Sequence, residues 1–493
     1  MNIRKFKNSD KIALQLPISN LSYKDLFYEI KGLSKKLDLR YNVYAIDIDN
    51  SAAWVILDIF LHDTNKTHIP IPKFFNIEMI ESILKSAKVE AIVTDNIDFY
   101  INNTRLYDIK IIIIDTITIF DKKLYVLKTI YGLEGDNFLK NVSKVTFTSG
   151  TTGQPKGVCL SKNYIINTVN SLSRIFDDID HLLHLSILPY SILLENIAGI
   201  YVSLNLGKSI AIRNSKELGF NGVKILNKKT MIESINIIQP NSIICYPEIL
   251  NLILDNVKEK NLVLNNNNFI AVGGATTKTS LIEECWANKI NAYEGYGLSE
   301  CCSVVSLNSP KKFKDDTQGK ILDHHNYKII KNELHIKNNG FMGYLSNGEI
   351  IMQDNEWTRT GDIVHIDSDR YLTIIGRKKN VLINSFGRNI FAKEIESNFL
   401  NSGLFKNVVI VGNSRKYCCL FYWVKNKKFN KKVFTEVLNN INKNLPEYSK
   451  IRKSKKIDFP IPKNLLFNNS IIRESFEISF IEIIDKLYNT GEI

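Results

Sequence analysis

From Tyr41 onward, short and nearly continuous apolar runs alternate with segments whose apolar residues recur every three to four positions. Apolar runs bounded by turn formers predict buried strands, and the 3.6-residue recurrence predicts helices. The first units are a strand in YNVYAIDI, a helix beginning near Asn50 (NSAAWVILDIFLHD), a strand ending in HIPIP, a helix in NIEMIESILKSA and a strand in VEAIVTD. Ile111 to Ile114 predicts one more short buried strand. The alternation resumes with KVTFT, a helix after Ser161, the apolar segment HLLHLSILPY and SIAIR near Ser209; NSIICY and NFIAVGG then bracket the helix PEILNLILDNV. Strands apolar on both faces and separated by helices predict wound parallel sheets covered by helices, the α/β class.

The texture changes near residue 300. Residues 318–375 carry short alternating strands with turns at Asn338–Gly340 and Ser346–Gly348, which predicts a β-rich module. From about Arg377, NVLINS, the helix AKEIESNFL, NVVIVGN and CLFYWV predict a small α+β domain. The expected division is a large domain over 1–376 and a small one over 377–493.

Length and composition suit a globular enzyme, with 44% apolar and 23% charged residues over 493 positions. The net charge of +13 admits nucleic acid, an anionic membrane surface or an anionic substrate. The lysines are scattered among asparagines, with no basic helix and no zinc-finger or helix-turn-helix signature. A solvated lysine-rich surface is the better account, and no nucleic-acid partner is expected. Seven cysteines, two adjacent pairs among them and no C-x-x-C, form neither a metal set nor a disulfide framework. The amino-terminal MNIRKFKNSDKIAL has no apolar signal core and no apolar run reaches the length of a membrane span. A cytoplasmic location is expected, with peripheral membrane contact left open.

The strongest chemical signal is VTFTSGTTGQPKGV, Val145 to Val158. Gly150, Gly153 and Gly157 allow several amide N–H groups to converge on one anion. Thr148, Ser149, Thr151 and Thr152 add hydroxyl donors, and Lys156, between Pro155 and Gly157, adds a positive charge. It is not the common G-x-x-x-x-G-K-[ST] loop, because glycine follows Lys156 where that motif places its magnesium ligand. The string closely resembles the phosphate loop of the adenylate-forming (AMP-binding) superfamily, which includes acyl-CoA synthetases, luciferases and the adenylation domains of peptide synthetases. A second string, YEGYGLSEC from Tyr293 to Cys301, follows Gly273-Gly274-Ala275. Its glycines would let the backbone lie flat against a planar base, Tyr296 would stack on it, and Glu300 offers a carboxylate to magnesium. It resembles the superfamily's Y-G-x-T-E segment. The resemblance implies that Gly274, Glu294, Gly295 and Tyr296 surround adenine and that Glu300 holds Mg2+, with Ser299 keeping the hydroxyl of the usual threonine.

The same resemblance assigns three further groups. Asp362 of Thr360-Gly361-Asp362 accepts the ribose hydroxyls, Arg377 reaches the same ribose, and Lys378 falls at the interdomain hinge of a mobile C-terminal domain. Gly387 in SFGRN falls where the family admits a pantetheine arm, and Arg388 faces a phosphate or solvent. The family's C-terminal N-G-K-I-x-R lysine, which reaches the α-phosphate, is replaced: Asn468-Asn469-Ser470-Ile471-Ile472-Arg473 places serine there, and Lys463 and Arg473 sit at the wrong spacing to take over. Losing a positioned cation at a reacting phosphate costs on the order of 3 kcal/mol in barrier. LPYSILLENIAG, Leu188 to Gly199, resembles the L-P-x-x-H-x-x-E-R region of fatty acyl-CoA synthetases; Glu195 aligns with its acidic residue, while Ser191 or Ile192 stands near the missing histidine. The implied activity is ATP- and Mg2+-dependent ligation of a carboxylic acid, with an apolar fatty acyl chain favoured, to the thiol of coenzyme A. An acyl-carrier protein bearing phosphopantetheine is the alternative acceptor. A nucleotide- or acyl-adenylate-binding protein with impaired adenylation, on account of Ser470, is the alternative of another class.

Overall fold

The first expected strand forms as Val43–Asp47 and lies between Thr67–Pro70 and Ala91–Thr94, parallel to both. The helix between them, Ala52–Asp63, starts where the Ser51 side chain accepts the Trp54 amide, and its residues from Ala52 to His62 are all buried. A helix apolar on every side belongs in a central layer. The computed structural model describes residues 2–102, 111–132, 139–149, 155–177, 183–221, 224–275, 277–346, 348–351, 356–378, 381–383, 389–425, 430–445, 449–462, 465–467 and 470–489. These fall into two units: Met1–Lys328 with His335–Thr360 and Ile366–Thr373, and Ile329–Leu334 with Gly361–His365 and Ile374–Ile493.

Two nine-stranded sheets dominate the first unit. One holds six parallel strands in the order Ala292–Tyr296, Phe269–Val272, Ser242–Cys245, Leu183–Leu185, Ser209–Ala211 and Ile12–Gln15. The other holds four, Val142–Ser149, Thr67–Pro70, Val43–Asp47 and Ala91–Thr94. Tyr44, Ile46, Val158 and Leu160 from the second sheet share one core with Leu185, Ile210, Ile243 and Phe269 from the first, together with the helices Ala52–Asp63 and Lys162–Asp177. Their strand neighbours Val43, Ala45 and Cys159 point the other way, into a smaller core with Ile80, Ile83 and Leu84 of the helix Ile77–Ser86.

The expected parallel strands form the middle of each large sheet, and antiparallel strands extend them toward the edges. Ile112–Ile119 and Lys122–Lys128 are joined by two residues, too few for a crossover, so they pair antiparallel at the sheet edge. There Ile112, Ile113 and Ile114 are exposed, which corrects the expectation of a buried strand at 111–114. Of the β-rich segment, Tyr327–Ile330, Glu333–Lys337, Trp357–Ile366 and Leu372–Arg377 form a four-stranded sheet; Phe341–Ser346 and Glu349–Ile351 instead extend the second large sheet.

In the second unit Cys418–Val424 runs antiparallel to Phe405–Val411 and parallel to Ile451–Lys456. Ile410, Leu420 and Tyr422 pack with the helices Ala392–Asn401 and Lys431–Lys443, while Val409, Phe421 and Trp423 meet Phe476 and Phe480 on the opposite face. Cys418 and Cys419 therefore face opposite cores, and all seven cysteines are buried thiols. No helix among the described residues is long and apolar enough to cross a membrane.

A buried polar cluster anchors the strand that leads to the phosphate loop. Lys144 Nζ lies 3.0 Å from Asp58 Oδ1 and also bonds Asn196, while Asn196 Nδ2 and the Tyr201 hydroxyl donate to Asp58 Oδ2 at 3.0 and 2.5 Å. Burial opposes ionisation of Asp58, but the charges of Lys144 and His68 outweigh it and hold the carboxyl below its usual range. The cluster ties Val142–Ser149 to Glu195–Tyr201, a stretch wound as a π-helix, so both walls of the cavity described next rest on one ionic support.

Candidate active site

Parallel strands end with their carboxyl edges on one side, and connecting segments there create crevices. In the first unit Tyr246 follows Ser242–Cys245, Gly273 and Gly274 follow Phe269–Val272, and Gly297 follows Ala292–Tyr296; all line one cavity of about 410 Å³. Leu172 and Phe176 close it from the helix Lys162–Asp177, Ser191 to Leu194 and Ala198 from the segment after Leu183–Leu185, and Thr146 to Thr148 from the second sheet. Its polar lining includes Thr146, Thr148, Ser191, Tyr246, Tyr296, Ser299 and Ser303, and among the described residues that line it none carries a charge.

Two glycines are dictated by geometry. Gly274 has φ +78°, and a Cβ there would come within 2.7 Å of the Tyr246 ring. At Gly297 a Cβ would lie 1.6 Å from the Ser303 carbonyl oxygen, so the chain's own turn, Leu298 to Ser303, excludes any side chain. That turn carries Cys302 and Ser303 at φ 54° and 83°, left-handed conformations rarely adopted by such residues. It buries Cys301 and sends the Glu300 carboxylate to the Tyr344 hydroxyl, which donates to Oε1 at 2.8 Å.

The phosphate-loop string forms a hairpin, because five residues between strands are too few for a crossover. Val142–Ser149 pairs antiparallel with Pro155–Ser161 and sets Thr148 opposite Lys156. Gly150, Thr151, Thr152 and Gly153 lie outside the described residues, and Ser149 is described only as backbone. Lys156 Nζ stands 3.2 Å from the centre of the Tyr344 ring. The hairpin lysine and the turn glutamate thus meet on one tyrosine, the first over its ring and the second at its hydroxyl.

Thr148, Gly274, Gly295, Tyr296 and Ser299 share the cavity, but Glu294 does not. It lines a second cavity of about 310 Å³ beside Trp286, Phe313 and Thr317, since strand neighbours alternate sides and the 308–317 loop covers this one. Burial pushes its carboxyl up to about 7 despite hydrogen bonds with Gln318 and Thr277. Between the ordinary 4.5 and about 7 the folded chain binds a proton that the unfolded chain releases, so this group's contribution to stability falls as pH rises through that window. Glu294→Gln is therefore expected to raise the unfolding temperature relative to wild type at pH 8 and leave it unchanged at pH 4.5, read by scanning calorimetry.

In the second unit Arg377 Nε lies 2.7 Å from Asp362 Oδ1, with Asp362 buried and Arg377 exposed. The two groups assigned to one ribose are adjacent. Lys378 Nζ lies 2.7 Å from buried Glu333. Gly387, Arg388 and Lys463 lie outside the described residues. Arg473 donates to Glu396 Oε1 at 2.5 Å and to the Ile410 carbonyl at 2.9 Å, so it is held inside its own unit and is no substitute for the missing lysine.

Glu195 is fully buried, receives the Leu188 amide at 3.3 Å and lies 2.9 Å from His184 Nε2, whose Nδ1 is 3.1 Å from Ser242 Oγ. It braces the cavity wall from behind. Sequence reasoning missed Phe75, Phe176 and Tyr246, which line the cavity from loop and helix positions with no motif of their own.

The model of the AMP-binding enzyme family matches residues 4–355, and that of the AMP-binding enzyme C-terminal domain matches residues 379–492. The chain belongs to the AMP-binding enzymes. This is the adenylate-forming family that the glycine-rich and Y-G-x-T-E-like strings resemble. A 2-succinylbenzoate–CoA ligase of Staphylococcus epidermidis is 25% identical over 455 residues, 88% of this chain and 89% of its own. Fatty acyl-CoA synthetase B of Dictyostelium discoideum is 24% identical over 448 residues, 71% of this chain and 63% of its own. Among solved structures, the anthranilate CoA ligase AuaEII in complex with anthranoyl-AMP superposes with a TM-score of 0.73 at 14% identity, over 98% of this chain and 97% of that one. The o-succinylbenzoate CoA synthetase of Bacillus subtilis, in complex with ATP and magnesium, gives 0.71 at 18% identity, over 97% and 99%. Among the described residues no group of three or more His, Cys, Asp or Glu is placed to hold a metal. One carboxylate, Glu300, suits Mg2+, which is ordinarily held by one or two carboxylates together with substrate phosphates.

Proposed function

We propose that this AMP-binding enzyme activates an apolar monocarboxylic acid, aryl or fatty, with no charged group besides its carboxylate, and passes the acyl group to coenzyme A. The observation that carries the acyl class is the cavity: aromatic and aliphatic side chains such as Phe75, Phe176, Leu193, Ile244 and Val304 line it, and among the described residues that line it there is no cation or anion. A second carboxylate or an α-ammonium buried there would lose its hydration without gaining an opposite charge from the described lining. This separates the chain from the relatives named for 2-succinylbenzoate, a dicarboxylate. Their names, as CoA ligases, support coenzyme A over a carrier protein as acceptor.

The acid's carboxylate attacks the α-phosphorus of ATP, the bond to the β-phosphate oxygen breaks, and pyrophosphate leaves. The thiol then displaces AMP from the acyl adenylate. Lys156 neutralises phosphate charge, Thr148 offers a hydroxyl donor, and Glu300 would hold the metal. Gly274 and Tyr296 form a surface for a planar base at the cavity's edge. Mg2+ supplies charge neutralisation to the phosphates. Enzyme groups fixed in advance where charge develops lower the barrier without reorganising.

The test is carboxylate-dependent exchange of labelled pyrophosphate into ATP, followed by AMP release with and without coenzyme A. Benzoate-like and medium-chain fatty acids are expected to support exchange, with 2-succinylbenzoate and amino acids at least about 100-fold lower in kcat/KM. A preference for the dicarboxylate overturns the acyl class. Binding of ATP without exchange for any acid would replace the ligase by a nucleotide-binding protein.

A further inference from the structure

Tyr344 has no role in any motif above, yet it touches both charged groups of the phosphate site. It lies on Phe341–Ser346, which pairs antiparallel with Pro155–Ser161 and sets Tyr344 opposite Val158. Lys156, two residues before Val158, is its diagonal neighbour on the same face. That register lays the Lys156 ammonium on the ring, 3.2 Å from its centre. The ring is wedged edge-on against Phe341, 4.9 Å between centres, so its hydroxyl has a fixed direction. It points at Glu300 Oε1, 2.8 Å away.

We propose that Tyr344 is a positioning residue of the nucleotide site: its hydroxyl orients Glu300 for Mg2+, and its ring holds Lys156 ready for the phosphates. The proposal rests on the ligase reading only in that ATP with Mg2+ is the ligand. A carboxylate oxygen already committed to a neutral donor leaves the other oxygen as the metal ligand, in one orientation. A polyphosphate attracts an ammonium more strongly than a ring quadrupole does, so Lys156 moves from ring to phosphate on binding, over a short path and without searching its rotamers.

The two halves of the role separate by substitution. Tyr344→Phe keeps the ring and removes the hydroxyl; Tyr344→Leu removes both. ATP binding is measured by calorimetry across a Mg2+ titration and in EDTA, on the full chain. For Tyr344→Phe, affinity in EDTA is expected to equal wild type, whereas the Mg2+ concentration giving half-maximal enhancement rises about tenfold, as when the partner of a metal-ligating carboxylate is lost. For Tyr344→Leu the metal-free affinity falls as well. Unfolding temperatures within about 2 °C of wild type identify folded variants; if Tyr344→Leu fails that criterion, Tyr344→Phe decides. A wild-type Mg2+ dependence in Tyr344→Phe, or equal losses with and without Mg2+, overturns the proposal. A wild-type chain that binds no ATP overturns the functional reading itself, a distinct result.

Discussion

Lys156→Ala is expected to lower acid-dependent pyrophosphate exchange by about 10²- to 10³-fold, roughly 3–4 kcal/mol of barrier, with the chain still folded. Lys156 is exposed at the mouth of a hairpin, and its ammonium rests on the Tyr344 ring without supporting a core. Its removal should therefore cost little stability. The cost falls where charge accumulates on the phosphates, because no second cation is supplied by Ser470 or Arg473. Arg473 is held by Glu396 and the Ile410 carbonyl. The measurement is the exchange rate at saturating acid and ATP, beside thermal unfolding. An exchange rate within threefold of wild type would show that the reacting phosphates are neutralised by another group.

Ser470→Lys has the opposite sign and comparable size. Position 470 begins Ser470–Ile471, which pairs antiparallel with Leu466–Phe467 and sets residue 470 opposite residue 467. The surrounding N-x-x-I-x-R frame, Asn468 to Arg473, matches the family's lysine string, so a lysine at the second x is expected to restore the missing cation. Exchange is expected to rise by about 10²-fold, the same roughly 3 kcal/mol that a single well-placed donor contributes to such a transition state. Thioester formation from a synthetic acyl adenylate should not change, since that step follows loss of pyrophosphate. Measuring both half-reactions separates the effect from a general improvement in folding. An unchanged exchange rate would mean that another group already stands at the α-phosphate.

The alternating βα pattern was legible because a buried parallel strand leaves a run of apolar residues and a central helix leaves an apolar cylinder, as in VYAID and AAWVILDIFLH. Its failures share one cause. An apolar run does not record whether its strand lies inside or at an edge: Ile112 to Ile114 read like Val43 to Ile46 but are exposed. Phe341–Ser346 read as part of a local module and instead joined a strand almost two hundred positions earlier in the chain. The site behaves the same way. Thr148, Lys156 and Glu300 stand in strings whose residue types state their chemistry, whereas Phe176, Tyr246 and Tyr344 are ordinary aromatics until distant segments meet.

What the amino-acid sequence by itself determined is the family, the mixed succession of strands and helices, the identity of the phosphate, metal and ribose groups as expectations, and the missing cation at Ser470. These are properties of local strings, where residue type, glycine placement and spacing carry the chemistry. Only the tertiary structure decided that Glu294 lines a different cavity from Gly274, Gly295 and Tyr296, that Glu195 and Arg473 are spent on internal hydrogen bonds, that the described lining of the larger cavity holds no charge, and that one tyrosine joins Lys156 to Glu300. The reason is physical: burial, charge pairing and cavity lining are set by which segments pack together, and a strand's register against a distant partner is written in no single stretch of chain.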